Sequence, residues 1–120
     1  MRAFAAAFGL TLVLAGAVSA QSITVGKGAV LRGLDKIGGR VRDIELHSGG
    51  STMLGRIRIT LGECRYPSGN PSGDAYAYVA IQEEGRESPH FIGWMIASSP
   101  ALSALDHPRY DVWVLRCMTK

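Results

Sequence analysis

Apolar and polar residues alternate most regularly near the middle of the chain, in residues 56–61. Alternation at every second residue is typical of a β-strand that buries one face, so this segment predicts a strand. Continued without interruption, the alternation would place Cys64 on the exposed face. We expect a bulge at Gly62 to turn the cysteine inward. The residues expected to face the core are Ile57, Ile59 and Leu61.

Four further segments are rich in the β-branched, aromatic and aliphatic residues that favour strands, and turn-forming residues separate them. A shorter strand is expected at residues 29–31, within a glycine-rich lead-in. The last segment is apolar on both faces, with Tyr110 on one face and Trp113 and Cys117 on the other, which is typical of a central strand. The four predicted strands are residues 40–46, 75–81, 91–96 and 110–117.

One short helix is predicted near residues 99–106. Ser99 can cap its N-terminus, Pro100 suits the first helical position, and Pro108 disfavours helix in the residue before it. Two leucines three residues apart give the helix an apolar side. The chain therefore predicts an all-β fold: a small barrel or sandwich of five to six short antiparallel strands with one short helix.

Residues 1–20 have the plan of a secretory signal peptide, with a positive start, an uncharged apolar stretch and small residues before the cleavage point. The apolar stretch is shorter than the roughly 20 residues of a membrane span, and no nearby cysteine could accept lipid. An uncleaved N-terminal anchor is the alternative. We expect export to the periplasm, cleavage before Gln21, and a mature chain without a transmembrane segment. Residues 21–120 are expected to form a single β-rich domain with its core in residues 29–117.

The chain has 13 lysines and arginines against 10 acidic residues, and these charges are unevenly distributed. Residues 21–65 hold eight basic and four acidic residues, whereas residues 66–120 hold four and six. The basic half is suited either to an anionic envelope surface or acidic partner, or to an ordinary solvated face. So small an excess in an exported chain argues against a nucleic-acid partner. No cofactor-binding motif is present, and no cofactor is expected.

Cys64 and Cys117 are the two cysteines of the chain. In an oxidising compartment such a pair is expected to form a disulfide. A redox-active pair usually has two residues between its cysteines, and a zinc site needs four ligands at local spacings; neither pattern is present. We therefore expect a structural disulfide that ties the last strand to an earlier one.

The densest polar cluster lies at residues 106–111. In an enzyme, His107 would act as a general base oriented by Asp106 or Asp111, with a nearby serine as nucleophile. In the structural alternative, Asp106 hydrogen-bonds the backbone of a tight corner with Tyr110 packed beneath it. Turn chemistry favours the structural alternative, since no nucleophile elbow or paired carboxylates accompany the cluster. The candidate serines are Ser98, Ser99 and Ser103.

Histidines and tryptophans complete the set of candidate residues. His47, His90 and His107 lie far apart, and no two have the spacing of metal ligands, so no metal site is expected. Trp94 and Trp113 are expected on adjacent strands, where they form either a platform for a sugar or peptide or, as the small core favours, part of that core. The candidate binding residues are Trp94, Asp106, His107, Tyr110, Asp111 and Trp113.

Several stretches of the chain resemble one known family. They are LDK at residues 34–36, LG at residues 54–55, and the run GWMIASSPALSALDHP at residues 93–108 that continues to Cys117. These stretches resemble the small exported proteins of alphaproteobacteria grouped as domain of unknown function 2155, over residues 29–117. That family often has phenylalanine at positions 53–54 and 96 and glutamate at position 106. The resemblance implies export, these domain limits and the two-cysteine arrangement, and it implies no activity.

The sequence favours a non-catalytic cell-envelope module that binds or positions another periplasmic or envelope protein. The alternative is a small cell-envelope hydrolase or cell-wall-modifying enzyme that uses His107 with Asp106 or Asp111. The two hypotheses differ in the expected surroundings of His107. In a binding module the corner residues Asp106 and His107 are held by backbone hydrogen bonds, whereas in an enzyme His107 lines a cleft beside a nucleophile or a water site.

Overall fold

Two antiparallel sheets make up the fold in the computed structural model, which describes residues 22–120. The predicted signal peptide at residues 1–20 lies outside the described residues. The strands are β1 (Ile23–Val25), β2 (Gly28–Asp35), β3 (Arg40–His47), β4 (Ser51–Leu54), β5 (Ile57–Pro67), β6 (Tyr76–Glu83), β7 (Phe91–Ile96) and β8 (Tyr110–Met118).

The first sheet has the order β1-β5-β6-β7, and β4 also pairs with β5. The 11 residues of β5 are enough for both partners, because β4 pairs with residues 57–60 and β1 with residues 65–67. The second sheet has the order β3-β2-β8. The inner faces of the two sheets share one core, so the prediction of an all-β fold is confirmed as a small sandwich-like arrangement rather than a closed barrel.

The alternation of β5 produces the expected burial. Ile57, Ile59 and Leu61 are each 0% exposed, and the β5–β6 register shifts between Leu61 and Glu63. This irregularity is the bulge predicted at Gly62. Because it adds one residue to β5, Cys64 returns to the inner face and is fully buried.

A second bulge brings the other cysteine inward. In the β2–β8 ladder, Val30 faces Arg116 and Leu31 faces Val114, so Leu115 is the extra residue. Cys117 therefore lies on the buried face, and the expectation that it shares a face with Trp113 is wrong. The predicted disulfide is present between Cys64 on β5 and Cys117 on β8, with an S–S distance of 2.05 Å, and it links the two sheets.

The segment predicted as a helix near residues 99–106 forms turns instead, and the structure describes no helix in residues 22–120. Its backbone hydrogen bonds run from Ser99 N to Ile96 O and from Leu102 N to Ser99 O, each spanning three residues. A helix this short is stable only when its apolar side packs on the core. Leu105 is 6% exposed but Leu102 is 77% exposed, so the two leucines do not share a packed face. Within residues 22–120 no helix is long and apolar enough to cross a membrane.

The structure corrects the predicted strand inventory in two further respects. β8 is an edge strand rather than a central one. Trp113, on the outer face of β8, lines a cavity of about 310 Å³ together with residues of segment 100–105. β2 occupies the centre of the second sheet, although its glycines suggested a lead-in with a strand of only three residues. Gly28 is required there by close packing, because a Cβ at this position would lie 2.1 Å from Leu46 O.

Candidate functional site

His107 organises the corner that leads into β8. The residue is 6% exposed, and its Nδ1 accepts hydrogen bonds from the backbone N–H groups of Arg109 at 3.0 Å and Tyr110 at 3.2 Å. Asp106 was the residue expected to hold this corner. It is exposed and makes no hydrogen bond among residues 22–120, so the corner is held by its histidine neighbour.

These contacts fix the tautomer of His107. A nitrogen that accepts two N–H donors carries no proton, so the proton of a neutral ring is on Nε2. Nε2 lies 3.4 Å from Glu83 Oε1 and donates to it. The other oxygen of the same carboxylate, Oε2, accepts from His90 Nε2 at 2.8 Å. Arg86 Nη1 lies against the His90 ring, 3.0 Å from Nδ1 and 3.2 Å from Nε2.

Glu83 therefore joins two imidazole rings, and we call Glu83, His90 and His107 the His–Glu–His bridge. The two rings meet edge to face with their centroids 4.6 Å apart. The bridge connects the end of β6 and the start of β7 to the corner before β8, so it links the first sheet to the second. Hydrogen bonds from both histidines, with that from His90 contributing most, hold the pKa of the Glu83 carboxyl below its usual range.

The expectation that the three histidines lie far apart is wrong for His90 and His107. One ligand atom from each residue of the bridge lies within 4.8 Å of the others, and two histidines with one glutamate form a known metal-ligand set. Ligation through Nε2, however, requires the proton on Nδ1 and an acceptor facing it. At His107 the groups facing Nδ1 are backbone N–H donors, so the contacts of this ring fit a hydrogen-bonded bridge and not a metal ligand.

The constellation needed for the hydrolase alternative does not assemble in the described residues. Both nitrogens of His107 already have partners, so neither faces a nucleophile. The Ser98 hydroxyl donates to Asp74 at 2.6 Å, and no serine hydroxyl in residues 22–120 hydrogen-bonds to His107. Asp111 lies 3.6 Å from Lys36 Nζ and does not orient the histidine.

Charged side chains also tie the corner to β2. Lys36 Nζ donates to the His107 carbonyl at 2.7 Å, and Arg109 forms two hydrogen bonds with Asp35 at 3.2 and 3.1 Å. The Arg109 guanidinium, followed by the Gly38 backbone N–H, lowers the pKa of Asp35 to about 2. Tyr110 is buried beneath the corner as expected, and its hydroxyl oxygen accepts from the Arg56 N–H at 3.3 Å.

The two tryptophans do not lie on adjacent strands. Trp94 is on β7 in the first sheet and Trp113 is on β8 in the second, and both are half-buried rather than part of the core. Trp94 lies on the outer face, with the Tyr78 ring 5.2 Å away and the Arg65 guanidinium 4.9 Å from its ring centre. Trp94 thus lies at the surface of the first sheet, separately from the corner at residues 106–111.

Apolar residues extend this outer face of the first sheet. Sequence reasoning missed this surface because the pairing of strands distant in sequence creates it. The one local signal is that residues 91–96 contain no charged side chain. The exposed members, with their exposed fractions, are Ile23 (55%), Val25 (55%), Tyr78 (38%) and Ile92 (57%).

Comparison with known proteins identifies the family. A family described as an uncharacterized protein conserved in bacteria, domain of unknown function 2155, matches residues 29–117. An uncharacterized protein of Rickettsia prowazekii (strain Madrid E) is 33% identical over 87 residues, which is 70% of this chain and 56% of the relative, so the chain spans about half the length of that relative. No solved structure matches the chain. The chain belongs to the bacterial protein family of domain of unknown function 2155.

Proposed function

We propose that this domain is a non-catalytic binding module of the bacterial cell envelope, which pairs along the free edge of β7 with an extended segment of another exported protein. The arrangement of His107 supports a module over a hydrolase, because both ring nitrogens are engaged in holding the fold. The observation that carries the proposal is that β7 is the one strand edge of the described residues that lacks protection.

Exposed strand edges attract other chains, and proteins usually protect them with charges, bulges or short strands. β3 has charged residues at four of its eight positions, and β8 has a bulge as well as Asp111 and Arg116. β1 and β4 are three and four residues long. β7 is six residues long, pairs only with β6, and has the sequence FIGWMI, without charge or proline. Its edge is suited to a partner strand.

The register of β7 determines which groups a partner would meet. Ala97 N donates a hydrogen bond to Ala75 O, the residue directly opposite, and hydrogen-bonded pairs recur at every second residue along the β6–β7 ladder. Ile92 and Trp94 fall between these hydrogen-bonded pairs, so their backbone N–H and C=O groups point away from β6. Neither residue has a backbone hydrogen bond to the segment that follows β7 in the described part of the chain. An added strand would bond to these groups and place alternate apolar side chains beside Ile92 and Trp94.

The location in the periplasm is part of the proposal. The pattern of residues 1–20 and the disulfide between Cys64 and Cys117 both support export, because such bonds persist in oxidising compartments. An exported partner with an extended segment is consistent with this location.

A photo-crosslinking amino acid at position 92, expressed in the native host, tests the proposal. Val41 on the β3 edge is the matched control, since it is 60% exposed and Ile92 is 57% exposed. We expect position 92 to give a crosslink to one segment of an exported protein, and position 41 to give none. A synthetic peptide of that segment should bind the purified domain, and Ile92→Lys should weaken binding about tenfold while Val41→Lys leaves it unchanged. Equal crosslinking at both positions, or a peptide insensitive to Ile92→Lys, would contradict the proposal.

A further inference from the structure

A cavity at one end of the sandwich is lined by three arginines and also by Leu54. Along β3, Arg40 and Arg42 share a face with Ile44 and Leu46, which are buried in the core. The two arginines thus continue the inner face of the second sheet beyond the apolar core. They line a cavity of about 330 Å³ together with Tyr110.

The register of the second sheet explains why these side chains meet. Asp35 on β2 is paired with Arg40 on one side and with Tyr110 on the other, so the three residues form a row across the sheet. Gly55, in the turn between β4 and β5, closes the cavity from the opposite sheet. A Cβ at Gly55 would lie 2.0 Å from the Tyr110 hydroxyl, so the absence of a side chain lets this hydroxyl reach the cavity wall.

The cavity has an excess of positive charge. Arg109, which also lines it, is paired with Asp35 through hydrogen bonds from Nε and Nη2. The Arg40 side chain has no ion-pair or hydrogen-bond partner among residues 22–120, and the side-chain hydrogen bond of Arg42 in that range goes to the Met53 carbonyl. Two guanidinium charges therefore remain unbalanced.

The hydrogen-bonding groups of the cavity are mainly donors. Both oxygens of Asp35 are occupied, by Arg109 and by the backbone N–H groups of Ile37 and Gly38. The Tyr110 oxygen accepts from Arg56 N, and its hydroxyl hydrogen has no acceptor in the described residues. A ligand that completes these bonds must supply several acceptor oxygens and negative charge.

We propose that this cavity binds a phosphate group, held by Arg40, Arg42 and the Tyr110 hydroxyl. The fork of an arginine matches two oxygens of a phosphate, and three donor groups, two on β3 and one on β8, suit a tetrahedral anion. The volume is at the lower end of the range for small-ligand pockets and admits a phosphate with a short attached group. The source is either a soluble phosphate compound or the phosphate of a lipid headgroup. The site is separate from β7 and independent of its proposed role.

Titration of the purified domain with inorganic phosphate at low ionic strength, followed by amide NMR, tests the proposal. We expect saturable shifts at Gly55 and at Arg56, whose N–H contacts the Tyr110 hydroxyl. Arg40→Gln should weaken phosphate binding about tenfold, because it removes charge-assisted hydrogen bonds from the site. It should leave the fold intact, since Arg40 has no partner in the described residues. Arg58→Gln removes the same charge from an exposed position on β5 outside the cavity and should not change the affinity.

Vesicles of phosphatidylcholine, with and without phosphatidic acid, distinguish the two sources. Binding to the vesicles with phosphatidic acid that is lost in Arg40→Gln and kept in Arg58→Gln assigns the site to a lipid phosphate. Phosphate binding without vesicle binding assigns it to a soluble compound. The proposal is overturned if phosphate causes no saturable shift, or if Arg58→Gln weakens binding as much as Arg40→Gln, since the effect is then general electrostatic attraction.

Discussion

At the scale of single residues, His107 was a candidate general base, and in the structure its side chain holds the backbone of the corner before β8. The sequence singles out residues 106–111 as a polar cluster, and the structure confirms that a corner lies there. The sequence could not predict which residue of the cluster holds the backbone. The answer depends on Glu83 and His90, which meet His107 only after three strands have assembled. Within the cluster His107 is buried, whereas Asp106 is exposed.

Replacing His107 by alanine should lower the free energy of unfolding by about 2–4 kcal/mol, because two buried backbone N–H groups lose their acceptor and a cavity forms. His47 is exposed at the end of β3, so His47→Ala should change stability by less than about 0.5 kcal/mol. Urea denaturation of both variants measures the difference. Equal stability of the two variants would show that His107 does not hold the corner.

Asp35 makes the stability of the domain depend on pH in the acid range. Its pKa is lowered from 3.8 to about 2 in the folded state, mainly by the hydrogen bond from Arg109. The stabilisation is therefore fully present above the unfolded-state pKa and is lost as pH falls through the folded-state value. We expect the free energy of unfolding to fall between pH 4 and pH 2. Asp35→Asn should be less stable at pH 7 and show a smaller fall, measured by denaturant unfolding at each pH. A parallel fall in wild type and variant would contradict the assignment.

At the scale of elements, local pattern predicted strands well where alternation was clear and failed where tertiary contacts decide. β5 and its bulge follow from residues 56–64, because a single buried face imposes the alternation. The turns at residues 99–106 carry good local helix signals, yet the exposure of Leu102 shows that no apolar side packs on the core. β2 was underestimated because glycine weakens a strand locally, while close packing at Gly28 needs it.

The turn between β4 and β5 requires glycine at position 55. Its φ is +54°, and an added Cβ would also meet the Tyr110 hydroxyl. Gly39 has a similar φ of +69°, with no atom within 4 Å of an added Cβ. Gly39→Ala should cost about 1 kcal/mol from backbone strain alone, and Gly55→Ala at least about 2 kcal/mol because a clash is added. Thermal and urea unfolding compare the two variants. Similar losses would show that Tyr110 can move away without cost.

The disulfide should stabilise the domain by holding β8 against β5. The cysteines are 53 positions apart, so the bond closes a long loop in the unfolded chain. Replacing both cysteines by serine should lower the free energy of unfolding by about 2–5 kcal/mol. Thiol labelling of the unreduced native protein is the complementary measurement, and neither cysteine should react. Ready labelling of both would contradict a structural disulfide.

At the scale of the whole molecule, the order of strands in the two sheets could not be read from the sequence. The pairing of β2 with β8 joins opposite ends of the chain, and no local pattern records it. The two-cysteine arrangement was the one long-range contact that the sequence predicted correctly. The β7 edge and the arginine-lined cavity emerge from this topology, which is why both were missed although their residues are plainly visible in the sequence.

Export predicts where the mature protein begins. Cleavage of residues 1–20 should leave a protein that begins at Gln21, because small residues precede this position. Intact mass spectrometry of the protein from the envelope fraction measures this directly. A mass that retains residues 1–20 would show that the N-terminal segment is kept as an anchor.

The central claim is that the module binds its partner by strand addition at β7. Amide hydrogen exchange of the purified domain, with and without the peptide identified by crosslinking at position 92, tests it most directly. Strand addition predicts that the amides of Ile92 and Trp94 exchange rapidly in the free domain and become protected in the complex, while the amides on the free edge of β3 are unchanged. Protection that is absent from β7, or that appears instead along β3, would contradict the claim.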